Sequence, residues 1–244
     1  MIMKKWQGKN LSAKILFSSP GVAQQIWIEN RTGAILFDTG DGTLRDLLTN
    51  RLDLRKLKGI VFTHGHFDHI GWLYSLLGYL RMIRRTEELL IIFPKGCNEA
   101  KLLLKTFVNH YRKSTPFRIT AKEISPNETF QIGGMIIKSY KMVHCGSVKG
   151  PDGKEMILGE PPALGYRISY KNETIAISGD TGTDGDLKSL IKDADLAIIE
   201  ATLAHSKKVP QEAIKRIHLA EDISREIGKM AKQYILIHKG KRKK

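Results

Sequence analysis

Short apolar runs separated by turn-forming residues dominate the first forty positions of the chain. The runs cover residues 13–17, 25–28 and 34–37, with Pro20-Gly21 and residues 30–33 between them. Runs of this length, bounded by proline, glycine and asparagine, are typical of β-strands joined by tight turns. The sequence therefore predicts three antiparallel strands here.

Strands and helices alternate in the rest of the chain. Helices are predicted at residues 44–48, from 68 to 80, and at 99–111, 187–191 and 219–231. Strands are predicted at residues 59–63, 89–93, 165–170, 174–178, 196–200 and 234–237, with a further β-rich segment before residue 144. This mixture favours two sheets covered by helices.

The clearest chemical signal is the stretch THGHFDHIG, which directly follows the apolar run at residues 59–63. Four potential metal ligands fall within it: His64, His66, Asp68 and His69. Residues two apart in an extended segment point to the same side, so the first two imidazoles can face one ion. Imidazole and carboxylate donors suit zinc, manganese or iron. The alternative is a group of solvent-exposed histidines in a polar turn.

This stretch resembles the HxHxDH signature of the metallo-β-lactamase superfamily. His144, Asp180 and His238 follow in the order of the superfamily's other ligands, each at the end of a predicted strand. The resemblance implies an α/β (α+β) fold, an αββα sandwich of two mixed sheets flanked by helices. It also implies two metal ions, zinc being favoured over manganese or iron. The implied ligands are His64, His66 and His144 for one ion, Asp68, His69 and His238 for the other, and Asp180 as a bridge.

Three further elements resemble the ribonuclease Z branch of the superfamily. The sequence DTGDGT at residues 38–43 is similar to its DxGxGT element. The sequence IEAT at 199–202 is similar to its HEAT element, with isoleucine in place of histidine, and HLA at 218–220 is similar to its HST element. The resemblance spans most of the chain, from about residue 38 to residue 238.

Four residues receive candidate roles beside the metals. Asp68 would orient the nucleophilic water and accept its proton. His218, held by Glu200, would donate a proton to the leaving oxygen; the alternative is an ordinary residue at the start of a helix. Asp38 would orient a metal-binding imidazole or, alternatively, stabilise its turn. The remaining histidines, His110 and His205, match no ligand position of the family.

The interval between His144 and Asp180 departs from the transfer-RNA-processing members of the ribonuclease Z branch. Many of those enzymes carry a long substrate-gripping arm at this place, whereas only 35 residues separate the two ligands here. Two predicted strands occupy part of the interval, so no long arm fits. The turn-rich residues 149–162 form either a mobile lid over the metals or an inert connection.

Composition and charge indicate a globular protein with affinity for polyanions. A chain of 244 residues with 41% hydrophobic residues can bury one sizeable core, so we expect a single domain over residues 1–244. The net charge is +15, and a short basic tail, residues 239–244, supplies five of these charges. Such an excess favours phosphate-bearing partners such as RNA, although a purely solubilising surface is the alternative.

Several features favour a cytoplasmic location. The basic N-terminus lacks the apolar region of a secretory signal, and no apolar stretch approaches the roughly twenty residues of a membrane span, so no membrane partner is expected. The two cysteines, Cys97 and Cys145, are expected to remain reduced thiols. Monomer and homodimer both remain open.

The function that these patterns favour is metal-dependent hydrolysis of phosphodiester bonds, in RNA or in smaller diesters. The alternative is hydrolysis of a lactone, thioester or other carboxylic substrate at the same metal site. A third alternative, a nucleic-acid-binding protein without activity, is disfavoured by the complete ligand set.

Overall fold

A computed structural model of the protein describes residues 3–149 and 155–240. The strands within these residues are β1 (Lys4–Gln7), β2 (Ser12–Ser19), β3 (Ala23–Glu29), β4 (Ala34–Phe37), β5 (Leu57–Val61), β6 (Leu89–Pro94), β7 (Ile119–Ile124), β8 (Thr129–Ile132), β9 (Met135–Met142), β10 (Ser147–Lys149), β11 (Glu155–Ile157), β12 (Ala163–Tyr170), β13 (Glu173–Ile177), β14 (Leu196–Glu200) and β15 (Tyr234–Ile237). The α-helices are α1 (Thr43–Thr49), α2 (Phe67–Ile70), α3 (Leu73–Met82), α4 (Asn98–Tyr111), α5 (Leu187–Ile191), α6 (Gln211–Arg216) and α7 (Glu221–Gly228). Short 3-10 helices lie at Leu54–Lys56 and Ser206–Lys208.

The first sheet has seven strands in the order β1-β2-β3-β4-β5-β6-β7. Strands β1 to β4 pair antiparallel, which confirms the antiparallel strands predicted at the start of the chain. Strands β4 to β7 pair parallel. Parallel neighbours require a crossover, and the helices α1 to α4 provide these connections.

The second sheet has six strands in the order β15-β14-β13-β12-β9-β8. It is also mixed, because β8, β9, β12 and β13 pair antiparallel whereas β13, β14 and β15 pair parallel. Strands β10 and β11 form a separate two-stranded ribbon.

Apolar side chains fill three spaces between four layers. Alternate residues of β4 show the arrangement, because Ile35 and Phe37 pack between the two sheets whereas Ala34 and Leu36 pack towards the helices α1, α3 and α4. A third cluster lies between the second sheet and the helices α5 and α7. Strands buried on both faces are expected in a helix-covered parallel sheet. The predicted αββα sandwich with two mixed sheets is confirmed.

The local predictions differ from the structure in three places. The helix expected from residue 68 to 80 is divided into α2 and α3 at Gly71 and Trp72. The helix expected at 219–231 spans only Glu221–Gly228, because Ala220 is extended and forms a bridge to Leu203. Strands β1, β10 and β11 and helix α6 were not predicted, since each is short and lacks a clear apolar pattern.

Several strands end at one edge of the sandwich. Strand β9 runs in the same direction as β13, because both pair antiparallel with β12, and β13 is parallel to β14 and β15. The carboxyl ends of β4 and β5 likewise lie side by side in the first sheet. The polar residues that follow these strands therefore converge, as is common for ligand sites of sheets with parallel strands.

Candidate metal centre and active site

The residues of the HxHxDH stretch lie in the turn after β5 and in the single turn of α2. His66 precedes the helix, and Asp68 and His69 follow within it. His64, Asp68 and His69 are buried, whereas His66 is half-buried. Gly40 permits the loop after β4 to lie against this helix, because a side chain at that position would collide with the backbone of Asp68.

His69 is oriented by the carboxylate of Asp38. The distance from His69 Nδ1 to Asp38 Oδ2 is 2.8 Å, and both side chains are completely buried. Asp38 also accepts hydrogen bonds from the backbone N–H of Thr63 at 2.8 Å, from its hydroxyl at 2.9 Å and from Gln24 Nε2 at 3.0 Å. The remaining nitrogen of His69, Nε2, consequently faces the centre of the site. Asp38 thus holds an imidazole, as one of its two proposed roles requires.

Two other imidazoles are held by neutral oxygen atoms. His144 Nδ1 lies 2.7 Å from the carbonyl oxygen of Ile217, so that Nε2 faces His66 Nδ1 at 3.0 Å. His64 Nδ1 lies 3.1 Å from the hydroxyl oxygen of Thr63. In each case one ring nitrogen is occupied and the other is directed into the site, which is the arrangement of metal-binding histidines.

Asp180 lies between the remaining ligands. Its Oδ2 atom is 3.2 Å from His238 Nε2 and 3.5 Å from His69 Nε2. His238 Nε2 is also 3.6 Å from Asp68 Oδ2, which accepts a hydrogen bond from the backbone N–H of Gly21 at 2.8 Å. His238 itself has φ 50°, an uncommon conformation for a residue other than glycine that is found at functional sites.

Polar atoms at the centre of this arrangement lack hydrogen-bond partners. They are His64 Nε2, His69 Nε2 and Asp180 Oδ1, all buried. Leaving such atoms unpaired is costly, so their concentration requires an explanation. Donor atoms of His64, His66 and His144 lie within 4.8 Å of one another, as do those of Asp68, His69 and His238. The donor set fits two divalent cations in the groups that the resemblance implies, with Asp180 beside both.

Charge and burial perturb the pKa values of the same residues. Burial lowers the pKa of His144 to about 4 and that of His64 well below its ordinary value. Both imidazoles are therefore neutral at pH 7, as metal binding requires. Burial would raise the pKa of Asp180, but the neighbouring His238 and His69 hold it well below its ordinary value. Asp180 is therefore ionised.

Glu200 and His218 form a pair next to this cluster. The distance from His218 Nδ1 to Glu200 Oε1 is 2.8 Å, and His218 Nδ1 lies 3.9 Å from Asp180 Oδ2. Glu200 is fully buried and accepts hydrogen bonds from the backbone N–H groups of Thr181 at 3.0 Å and Thr202 at 2.9 Å. Burial alone would lower the pKa of His218, but the Glu200 carboxylate outweighs it and raises this pKa to about 9. The Glu200 carboxylate thus favours the protonated form of His218.

A cleft of about 440 Å³ gives access to these residues. Its floor includes His66, Asp68, His144, Asp180 and His218. Its rim is largely apolar and includes Phe67, Leu158, Leu203, Val209 and Pro210. The volume falls within the range of sites that hold small-molecule groups.

The structure brings together every residue to which the sequence assigned a site role. His110 and His205 belong to none of the metal-type groups found among the described residues. Sequence reasoning did not find the carbonyl of Ile217, the N–H of Gly21 or the hydroxyl of Thr63. Of these, only Thr63 had a local signal, since it directly precedes His64. Residues 150–154 of the expected lid lie outside the described residues, whereas Leu158 lies on the cleft rim.

The family model for the β-lactamase superfamily domain matches residues 34–238. The chain belongs to this superfamily. The matched range begins at β4 and ends at His238, so it includes all seven proposed metal ligands. Membership confirms the resemblance inferred from the HxHxDH stretch, and it agrees with divalent metal binding at the His/Asp clusters.

Curated relatives within the superfamily are ribonucleases. Ribonuclease Z of Bacillus subtilis (strain 168) is 27% identical over 250 residues, covering 86% of this chain and 79% of the relative. Ribonuclease BN of Cronobacter sakazakii is 25% identical over 246 residues, with the same coverage of 86% and 79%. The predicted similarity to the ribonuclease Z branch is confirmed.

Solved structures of the superfamily share the fold. The short form of human tRNase Z superposes with a TM-score of 0.74 at 21% identity, covering 94% of this chain and 93% of that one. The metallo-β-lactamase fold protein YhfI of Bacillus subtilis superposes with a TM-score of 0.71 at 16% identity, covering 97% and 89%. At these identities the likeness supports the architecture alone.

Helices long and apolar enough to cross a membrane are absent from residues 3–149 and 155–240.

Proposed function

We propose that this chain is a metal-dependent hydrolase that cleaves phosphodiester bonds in RNA or in small diesters. The observation that carries the proposal is the Glu200–His218 pair, which places an imidazole with a favoured protonated form 3.9 Å from Asp180 in the metal-type cluster. Expulsion of an alkoxide from a phosphodiester requires such a proton donor. The similarity to ribonuclease Z and ribonuclease BN supports the same class of substrate.

The proposed metal ligands are the seven residues of the two groups and their bridge. Three imidazoles suit the first ion, whereas two imidazoles and the Asp68 carboxylate suit the second, and zinc is favoured by both donor sets. Two bound cations of this kind lower the pKa of water and stabilise charge on attacking and leaving oxygens.

Asp68 and His218 divide the proton transfers between them. Asp68 Oδ2 is fixed by the N–H of Gly21, so its carboxylate is positioned to orient the attacking water and accept its proton. His218 uses Nδ1 to contact Glu200, which leaves Nε2 to carry a proton to the leaving oxygen. Glu200 acts as a positioning residue because it touches His218 and not the substrate.

The substrate is proposed to be less restricted than a transfer-RNA precursor. The 35 residues between His144 and Asp180 include the strands β10, β11, β12 and β13, so they leave no room for a long arm. The alignment with the Bacillus subtilis enzyme is 250 positions long, but it includes only 86% of the 244 residues of this chain. The remaining positions of the alignment are gaps in this chain. That relative therefore has residues inside the aligned region that this chain lacks.

A panel of three substrates tests the proposal: bis-p-nitrophenyl phosphate, a simple lactone and a structured RNA, each with metal-loaded protein. We expect turnover of the diester and of the RNA, and little turnover of the lactone. Turnover of the lactone alone would favour the carboxylic-substrate alternative. Efficient trimming of a transfer-RNA precursor at one site, without activity on small diesters, would contradict the proposed breadth.

A further inference from the structure

The segment from Leu203 to Ile217 forms one side of the cleft. Leu203, Val209, Pro210 and Ile217 line the cleft, so the inner surface of the segment is apolar. The stretch between its ends, residues 204–216, contains Lys207, Lys208, Lys215 and Arg216 against a single acidic residue, Glu212. We call residues 203–217 the cleft wall.

Two exposed lysines of the cleft wall lack an ion-pair partner within residues 3–149 and 155–240. Lys207 and Lys208 are exposed, and no acidic group of these described residues lies within 4.0 Å of their amino groups. Arg216, by contrast, is half-buried and pairs with Glu160 at 3.6 Å. The two lysines are therefore available to an external anion.

Lys215 is exposed on the other face of α6. Pro210, Ala213 and Ile217 line the cleft, and helical spacing directs a residue two positions after Ala213 to the opposite side. Lys215 therefore does not face the cleft.

The C-terminal end of the cleft wall is hydrogen-bonded to the loops that carry the proposed metal ligands. The backbone N–H of Cys145, next to His144, donates to the carbonyl of Arg216 at 2.7 Å. The N–H groups of Thr183 and Asp184, which follow Asp180, donate to the carbonyls of Ile214 at 2.9 Å and Lys215 at 3.1 Å. Gly182 allows this approach, because a side chain there would overlap the backbone of Lys215.

The position of Lys207 and Lys208 beside the cleft follows from their neighbour Val209. Lys208 directly precedes Val209 on the rim, so its Cα atom is about 3.8 Å from that of a cleft-lining residue. Lysine ammonium groups bind phosphate as point charges and release counterions when they do so. An RNA strand whose scissile phosphate occupies the metal centre would place its neighbouring phosphates along the cleft wall.

We propose that Lys207 and Lys208 form a phosphate-binding surface that holds an RNA strand beside the metal centre. The inference rests on the proposed function for its substrate class. In this proposal the cleft wall binds the substrate away from the cleaved bond, as the long arm does in transfer-RNA-processing enzymes. Arg216 contributes to the fold through Glu160 and is excluded from the binding set.

The test is the double variant K207Q/K208Q compared with R112Q/K113Q. The second variant removes the same charge from two adjacent exposed residues just after α4. The first turn of this helix approaches Gly65 through Glu99. The fourteen residues of α4 span about 20 Å. The control residues therefore lie at the end of the helix that is farther from the cleft. Thermal melts check that both variants are folded.

We expect the cleft-wall variant to bind single-stranded RNA at least tenfold more weakly, with unchanged turnover of bis-p-nitrophenyl phosphate. Its slope of log K against log salt should decrease by about 0.7 for each phosphate that the variant no longer neutralises. The control variant should change RNA affinity less than threefold. Equal decreases in affinity for both variants, or an unchanged slope in the cleft-wall variant, would refute the surface. Because binding is measured apart from cleavage, a protein that bound RNA at this surface yet hydrolysed no diester would refute only the proposed function.

A second observation concerns Phe67, which lies between the proposed ligands His66 and Asp68 in the sequence. Its side chain is 68% exposed at the cleft rim, whereas Asp68, His69 and Ile70 of the same helical turn are buried. An exposed phenyl ring does not contribute to packing of the protein core. Nucleic-acid bases of any kind can stack on such a ring. We infer that Phe67 stacks with the base next to the scissile phosphate, again on the basis of the proposed function.

Binding of hexaadenylate and of an abasic strand of equal length tests this role. Phe67→Ala should weaken binding of hexaadenylate by about tenfold, the scale of one stacked base, and leave the abasic strand unchanged. Phe67→Trp should retain the affinity. Met82→Ala, which removes a side chain that is 70% exposed on α3, serves as the control and should have no effect. Equal effects of Phe67→Ala on both strands, or no effect on either, would refute the stacking role.

Discussion

The two proposed ligand groups of the candidate metal centre differ in what holds their imidazoles. In the first group, His64 and His144 are held by neutral oxygens, the hydroxyl of Thr63 and the carbonyl of Ile217. In the second group, His69 is held by the buried carboxylate of Asp38 at 2.8 Å. A carboxylate partner makes an imidazole a stronger base and a better ligand than a neutral partner does.

The two groups also differ in solvent exposure and in charge. The first group includes the half-buried His66 and no carboxylate of its own. The second group includes the Asp68 carboxylate, and all three of its ligands are buried. We therefore expect the second group to bind its cation more tightly, and the first group to exchange its cation through the cleft. We thus expect tight cation binding at the second group and cation exchange with solvent at the first group.

Removal of the first group gives the largest expected effect. His64→Ala combined with His66→Ala should abolish hydrolysis, because one cation and the nucleophile that it positions are removed. Metal content, measured by inductively coupled plasma mass spectrometry, should decrease while the ion of the second group is retained. His110→Ala is the control, since His110 lies outside the metal-type groups. Unchanged metal content in the double variant would contradict the ligand assignment.

Replacement of His218 separates proton transfer from metal binding in both groups. His218→Ala should lower turnover by about a hundredfold or more, the scale of a missing general acid, at near wild-type metal content. The decrease should be smaller for a nitrophenolate ester, whose leaving group needs no proton. Equal decreases for good and poor leaving groups would show that His218 is not the proton donor.

Replacement of Asp38 tests the difference between the groups directly. Asp38→Asn should lower the affinity of the second group for its cation by about 10- to 100-fold, as expected when the partner of a ligand is changed. Titration with a competing chelator measures this affinity. Asp41→Asn in the same loop is the matched control, because Asp41 is exposed. Equal weakening of both groups would remove the distinction drawn between them.

The pH dependence of turnover tests the Glu200–His218 pair. Glu200 raises the pKa of His218 to about 9, above its ordinary value, so the proton is held below that pH and released above it. Glu200→Gln removes the negative partner and should therefore lower the pKa of His218. The alkaline limb of the pH–rate profile should move down by about one unit or more. An alkaline limb at the same pH in both proteins would assign it to another group.

Deletion of residues 241–244 should have the smallest effect. The deleted residues carry four of the five positive charges of the tail and follow the last proposed ligand, His238. RNA binding should weaken severalfold because fewer counterions are released, while turnover of bis-p-nitrophenyl phosphate is spared. These residues lie outside the described part of the structure, so the expectation rests on charge alone. An equal decrease with both substrates would indicate a role of the tail in the metal centre.

Local patterns in the sequence were sufficient for much of the fold. The turns at residues 20–21 and 30–33 separate runs that lie within β2 and β3 and coincide with β4, and these strands pair as predicted. Division of the helix after residue 68 was missed, because Gly71 and Trp72 interrupt an apolar periodicity that continues on both sides. Helix α6 was missed because its sequence, QEAIKR, has too few apolar residues for a clear period.

The sequence alone determined which residues could bind metal. Four ligands lie within six residues, and the other three follow strands that their apolar runs reveal, so their chemical type and order are local properties. The tertiary structure decided how these residues are held. His144 is bound by the carbonyl of Ile217, 73 positions away, and Asp68 by the N–H of Gly21, 47 positions away. Every residue except proline has both backbone groups, so no sequence pattern marks the two that matter, and only the packing of the two sheets brings them to the site.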